Sequence, residues 1–329
     1  MSPRVLLTGA SGFIAAHVLD QLLKKGYWVR ATVRSDRKKQ EILSANAQYV
    51  SQLDFAIVGD ISQPGAFDEA VKAEPGLDYV VHTASPFHFH PEDIERDILK
   101  PAVQGTLGVL QAAKKFAPTV KRVVITSSGC YWTSWQDWNP ITWEQALAEP
   151  VGAYYGSKTF AEKAAYEFLD NEKPSFDIVT LNPPMVYGPI LNAQTAASLN
   201  ESNTFIYNIL TGKTDDGKVP KTGVHIWVDV RDIARAHILA LETPAASNQR
   251  FLIKADGIYS AQEIADVLRK HFPEQPRIPV GTPGAGLGLK DNDIFLADNS
   301  KSKEVLGMQY GSLEEMLIPL AKDLLALKE

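Results

Sequence analysis

Cysteine occurs once in the 329 residues, at Cys130, so no internal disulfide can staple the fold. A reducing compartment, the cytoplasm, is the expectation. No uninterrupted apolar run approaches the ~20 residues that a membrane-spanning helix needs. The first residues enter a strand-like segment directly, without a charged leader and cleavable apolar stretch, so a soluble protein is expected. Positive charge is not in excess: 33 Lys and Arg against 39 Asp and Glu leave a formal net charge of -6. That balance offers no general attraction to nucleic acid or an anionic membrane, and any anion site must be a local cluster. Low-complexity tracts are also missing, and 45% hydrophobic with 22% charged residues is an ordinary globular balance. The length predicts a large domain with a smaller partner.

Arg4-Val5-Leu6-Leu7-Thr8 is a short apolar run, followed by Gly9-Ala10-Ser11-Gly12-Phe13-Ile14-Ala15 and an amphipathic stretch to Lys25 with Gly26 behind it. The order reads as strand, glycine turn, helix and stop. Gly9, Gly12 and Ala15 have the spacing that lets backbone turn tightly, approach a pyrophosphate and pack helix on strand, with the helix N-terminus facing the anion. Ser11, Phe13 and Ile14 belong to the same candidate dinucleotide site.

A second strand, Trp28 to Val33, ends where an acid would accept the ribose hydroxyls of NAD. No acid stands there. Arg34, Ser35, Arg37, Lys38 and Lys39 follow instead, and a basic group at this turn is what a ribose 2′-phosphate requires. NADPH is therefore expected over NADH, with Arg34 and Lys38 as its main contacts. A third strand, Phe55 to Asp60, places Asp60 and Ile61 to meet the adenine, although Asp60 equally suits a cap or turn. Asp78 to Pro86 reads as a fourth strand running into a loop at the sheet's carboxyl edge, so Thr83, Ala84 and Ser85 should border the cofactor and Phe87 a pocket wall or core. His82, His88 and His90 lie close in sequence, but no neighbouring Cys or acid completes a ligand set, and no metal is expected.

A helix is expected from about Pro91 to Phe116, then a fifth strand, Lys121 to Thr126, ending in Thr126-Ser127-Ser128-Gly129-Cys130. Repeated strand and helix units predict an α/β fold, a Rossmann-type doubly wound parallel sheet. Four of the six tryptophans, at 132, 135, 138 and 143, then fall within a dozen positions, as an apolar wall over a site or as a seam between lobes. Tyr154 and Lys158 are four apart at the start of a good helix former, so a phenol and an ammonium project from one face as a candidate acid and base pair. Tyr155, three from Lys158, competes for the same role.

Past Asn182-Pro183-Pro184 the alternation loosens. The expected division is 1–188 plus 223–251 as an NADP-binding domain and 189–222 plus 252–329 as a smaller substrate-binding lobe. Asp229 or Asp232 should cap a helix, and Gly281 to Gly288 should be a loop, since no strand precedes it.

Taken together, Gly9-x-x-Gly12-x-x-Ala15, the Ser127-Ser128 strand end and Tyr154-x-x-x-Lys158 resemble an extended short-chain dehydrogenase/reductase over nearly the whole chain. His82-Thr83-Ala84-Ser85-Pro86-Phe87, Trp138-Asn139-Pro140 with Thr142-Trp143, Ala161-Glu162-Lys163-Ala164-Ala165, Asn182-Pro183-Pro184 with Tyr187-Gly188-Pro189, and Val228-Asp229-Val230-Arg231-Asp232 narrow this to the dihydroflavonol 4-reductase-like branch. Within it the likeness is to NADPH-dependent methylglyoxal and 3-methylbutanal reductases. The resemblance implies that Ser128 hydrogen-bonds a substrate carbonyl and that Tyr154 gives its proton to the oxygen as NADPH delivers hydride. It implies that Lys158 holds the nicotinamide ribose and favours tyrosinate by its charge. It places Pro183 and Val186 with the cofactor residues, and Phe87, Ser128, Trp132 and Tyr154 around the substrate. The segment between Ser128 and Trp138 departs from the pattern, being short and carrying Trp132 and Trp135, so substrate preference does not carry over. The competing readings are a nucleotide-sugar epimerase or dehydratase, for which the later lobe shows no clear basic clamp, and a non-catalytic NADP sensor, which would lack the Tyr and Lys pair.

Overall fold

The structure is a computed structural model that describes residues 2–85, 91–129, 136–192, 195–286 and 297–327. From the amino end it runs β1 (Arg4–Thr8), α1 (Phe13–Lys24), β2 (Trp28–Val33), α2 (Asp36–Ala45), β3 (Leu53–Ile57) and β4 (Tyr79–His82). A π-helical turn, Glu95–Leu99, leads into α3 (Lys100–Phe116), then β5 (Arg122–Thr126), α4 (Trp143–Ala148), α5 (Pro150–Glu172), β6 (Asp177–Asn182) and β7 (Met185–Tyr187). The remainder is α6 (Glu201–Thr211), β8 (Trp227–Asp229), α7 (Val230–Glu242), β9 (Arg250–Leu252), α8 (Ala261–His271), α9 (Ser300–Leu306) and α10 (Leu313–Leu325).

Seven strands form one sheet in the order β3-β2-β1-β4-β5-β6-β9, with every pairing parallel. The Val- and Ile-rich runs make sense in that setting, because strands covered on both faces have no polar side. Val5 and Leu7 point to one face, with α1 and α7, and Leu6 points to the other, with α3 and α5. The doubly wound fold expected from the alternating pattern is the one found.

Two elements differ by more than one residue from the sequence reading. β3 is Leu53–Ile57 and not Phe55–Asp60, because its register on β2 pairs Val29 with Leu53 and Val33 with Ile57, and the partner strand ends there. Asp60 thus falls in the following turn. The helix expected from Pro91 begins only at Glu95, in the π turn, and becomes α-helical at Lys100.

β7 and β8 pair in a separate two-stranded parallel sheet. Tyr187 and Trp227 from these strands pack with Ile206, Ile264, Leu268, Leu317 and Leu320 in a core built by α6, α8 and α10. Capping boxes at Ser260 and Ser312 start α8 and α10, and Gly212 in the left-handed region ends α6. Asp229 caps α7, accepting the Arg231 amide at 2.7 Å. No helix among the described residues is long and apolar enough to cross a membrane.

Candidate active site at the carboxyl edge of the sheet

The turn between β1 and α1 is held from three sides. Gly9 has φ of +67°, and a Cβ there would lie 3.0 Å from Ala84 Cα, so only glycine fits both the backbone and the neighbouring loop. Gly9 and Ala10 donate to Thr32 Oγ1 and O, each at 3.0 Å, and Gly12 donates to Gly9 O at 2.9 Å. Gly12 is the N-cap of α1 without any side-chain cap, which leaves the first amides of that helix available to an anion. Phe13 and Ile14 are half-buried against the core beneath.

Thr8, just before the turn, fixes the loop after β4. Its Oγ1 accepts from the Thr83 and Ala84 amides at 3.2 and 3.1 Å, so its own proton goes to His82 Nδ1 at 2.9 Å. His82 therefore carries its proton on Nε2. Burial, and then the charge of Lys158, push its pKa down to about 3. His82 is in the sheet, bonded to Thr8, while His88 and His90 lie outside the described residues.

At the end of β2 the basic cluster is solvent-facing. Arg34 is exposed, Ser35 caps α2 by accepting the Lys38 amide at 3.4 Å, and Lys38 Nζ pairs with Glu41 at 2.7 Å. Asp60 spends its carboxylate on its own turn, accepting from Ser62 N, Ser62 Oγ and Gln63 Nε2, and these bonds hold its pKa below the usual range. Ile61 packs on α3, in the space that a side chain at Gly105 would fill.

At the end of β5 the chain is pinned to β6 and its extension. Ser127 N donates to Leu181 O at 2.8 Å, and Gly129 N donates to the O of buried Pro183 at 2.9 Å, with half-buried Ser128 between them. A Cβ on Gly129 would come within 2.5 Å of Leu252 Cδ1 and 2.7 Å of Asn182 O. Val186 is buried in β7 beyond.

Tyr154 and Lys158 lie in α5 as the spacing predicts, with Lys158 Nζ 6.0 Å from the Tyr154 ring centroid. Tyr155 stands edge-on to Tyr154, centroids 5.7 Å apart. Lys158 as a residue is only half-buried, but its ammonium faces a dry surround, and burial pulls its pKa down to about 8. Among the described residues it has neither a hydrogen-bond nor an ion-pair partner. With His82, Ala84, Ser85, Thr106 and Ser127 it lines a cavity of about 10 Å³, space for one water. Two larger grooves, about 370 and 460 Å³, are lined at the amino edge by the last turns of α3 and α5 and by the starts of β1 and β2.

Phe87 and Trp132, named for the pocket, and Trp135, named for a pocket wall or a lobe seam, lie outside the described residues. The sequence reading missed Asn192, whose Nδ2 donates to Ser11 O at 2.7 Å, and His17, whose Nε2 donates to Pro189 O at 2.9 Å, together holding the 189–192 segment against the glycine turn. It also passed over Glu162 as a functional residue, though a glutamate at a core-facing helical position was visible.

The profile of the NAD dependent epimerase/dehydratase family matches residues 5–253. The chain belongs to this family. Ketoreductase azaE of Aspergillus niger is 42% identical, over 95% of each chain. The crystal structure of yeast methylglyoxal/isovaleraldehyde reductase Gre2 complexed with NADPH superposes with a TM-score of 0.90 at 35% identity, over 98% of each chain. Vestitone reductase from alfalfa does so with a TM-score of 0.77 at 27% identity, over 97% of each. Family, fold and relatives make the chain an oxidoreductase of the extended short-chain dehydrogenase/reductase type, and the epimerase alternative is not favoured.

Proposed function

We propose that this oxidoreductase is an NADPH-dependent carbonyl reductase acting on an aldehyde, ketone or dicarbonyl, and that Ser128, Tyr154 and Lys158 are its reacting side chains. The observation that carries this is Lys158: a desolvated ammonium without an acid partner among the described residues, one turn from a phenol, beside the ends of β4 and β5. A structural lysine would be paired or exposed. An ammonium held in this way suits the hydroxyls of a cofactor ribose.

The residues fit the dinucleotide. The uncapped amides of α1 beside Gly9, Ser11 and Gly12 would take the pyrophosphate, Arg34 and Lys38 the 2′-phosphate, and Thr83, Ala84, Ser85, Pro183 and Val186 would border the rest. NADPH, when bound, would supply the hydride for the carbonyl carbon. Ser128 Oγ donates to the carbonyl oxygen and fixes its direction. The Tyr154 phenol then gives its proton to that oxygen as negative charge develops, and Lys158 offsets the charge left on the phenolate. The product is an alcohol. Residues 1–188 with 223–251 would carry the cofactor, and 189–222 with 252–329 the substrate lobe, a reading supported by the separate core around α6, α8 and α10.

The direct test is oxidation of NADPH, beside NADH, over a panel of methylglyoxal, branched aldehydes, diketones, keto esters and a dihydroflavonol. Turnover with NADPH and at least one panel member is expected. Tight NADPH binding with no turnover on any member would favour a sensor.

A further inference from the structure

Glu162 sits one turn beyond Lys158 on α5 with 2% of its surface exposed, and the reaction proposed above does not use it. A carboxylate at that depth requires partners for both oxygens. Oε2 accepts from Ser127 Oγ at 2.7 Å; Oε1 accepts from Thr180 Oγ1 at 2.7 Å and from Arg250 Nε at 2.9 Å. One side chain thus joins the end of β5, the middle of β6 and the start of β9.

Arg250 carries the connection outward. Its Nη1 donates to Asp137 O at 3.0 Å, and its guanidinium carbon lies 3.6 Å from the Trp138 ring centroid. Trp138 in turn stands edge-on to Tyr166, centroids 6.5 Å apart. The Thr180 proton is committed to Glu162, so the Tyr166 hydroxyl donates to Thr180 Oγ1 at 3.2 Å, and the ring of contacts closes on the carboxylate.

We propose that Glu162 and Arg250 are positioning residues for the carbonyl site: Arg250 holds the Glu162 carboxylate, which orients Ser128 through Ser127. Stability alone does not explain the pair, because apolar residues of similar volume commonly hold such strands as well or better than a buried ion pair. The planar fork of Arg250 meets a carboxylate, a peptide carbonyl and an indole face at once, which a lysine cannot do. Ser127 is the immediate neighbour of Ser128 on a strand end fixed by two backbone bonds, and the carboxylate adds a buried side-chain anchor to that turn. The inference rests on Ser128 holding the substrate oxygen.

The test uses Ser127→Ala and Arg250→Lys, both mild enough to fold, with Ser128→Ala as control. Steady-state kinetics on methylglyoxal and a bulkier branched aldehyde are measured beside NADPH affinity and melting temperature. Ser127→Ala should lower kcat about tenfold on both aldehydes with NADPH affinity unchanged. Arg250→Lys should lower kcat on both aldehydes by at least about fivefold, with KM nearly unchanged. If both variants keep kcat within about twofold while Ser128→Ala is inactive, the pair only holds the fold and the proposal is wrong. If Ser128→Ala itself keeps full kcat, the carbonyl role of Ser128 fails, and this proposal with it.

Discussion

The ends of β5 and β2 lie on the same edge of the sheet but are built in opposite ways. After β5, Ser128 sits between two backbone hydrogen bonds to β6 and its extension, next to Ser127, which donates to a dry carboxylate. After β2, Arg34 is exposed, α2 buries no residue, and Lys38 pairs with a solvent-facing Glu41. Rigid, desolvated groups suit a reacting centre, where a small displacement is costly. Solvated surface charges suit recognition of a phosphate, where attraction tolerates imprecise geometry. The contrast predicts large, shape-sensitive effects at one end and small, salt-sensitive effects at the other.

The sharpest break would come from Tyr154→Phe, which should lower kcat by about 10²–10⁴-fold while NADPH titration shows unchanged affinity. Full activity there, with loss in Tyr155→Phe instead, would move the acid by one residue. Gly129→Ala comes next. Its methyl group cannot fit against Asn182 O and Leu252, so the turn must shift, and stopped-flow hydride transfer should slow by roughly 10²-fold.

At the other end, Arg34→Ala with Lys38→Ala should reduce the preference for NADPH over NADH by about 10- to 100-fold in kcat/KM, leaving kcat with NADPH nearly intact. Lys158→Met separates function from stability. Its folded pKa, about 8, lies below the ordinary lysine value of 10.5, so the burial penalty is full below pH 8 and is relieved as pH rises towards 10.5. The variant should melt higher than the parent at pH 7, with the gain fading across that window, and turn over poorly throughout. Smallest is Glu41→Gln, which frees Lys38 and should improve KM for NADPH by less than about fivefold, an effect that added salt erases.

What the sequence revealed follows from how far apart the cooperating residues are. The Gly9 to Ala15 turn and the Tyr154 and Lys158 pair are local patterns, and the structure places each on the expected element. The strands were legible as Val-rich runs, but the end of β3 was not, since its pairing partner sets it and not its own hydrophobicity. Nor was the β7 and β8 sheet, where two three-residue strands some 40 positions apart give no periodic signal. Glu162 and Arg250 are 88 residues apart, and each reads alone as an ordinary charged side chain. Asn192 and Ser11 are separated further still.

The hydroxyl of Thr8 has one more consequence. Because it receives two amide protons and gives its own to His82 Nδ1, the imidazole is fixed with a proton already on Nε2 and is too weak a base to accept another near neutral pH. Onward passage would require a peptide amide to surrender its hydrogen. The wall behind Lys158 at His82 is therefore a poor conductor of protons, and in the proposed reaction the proton returned to Tyr154 comes by another side of the lysine.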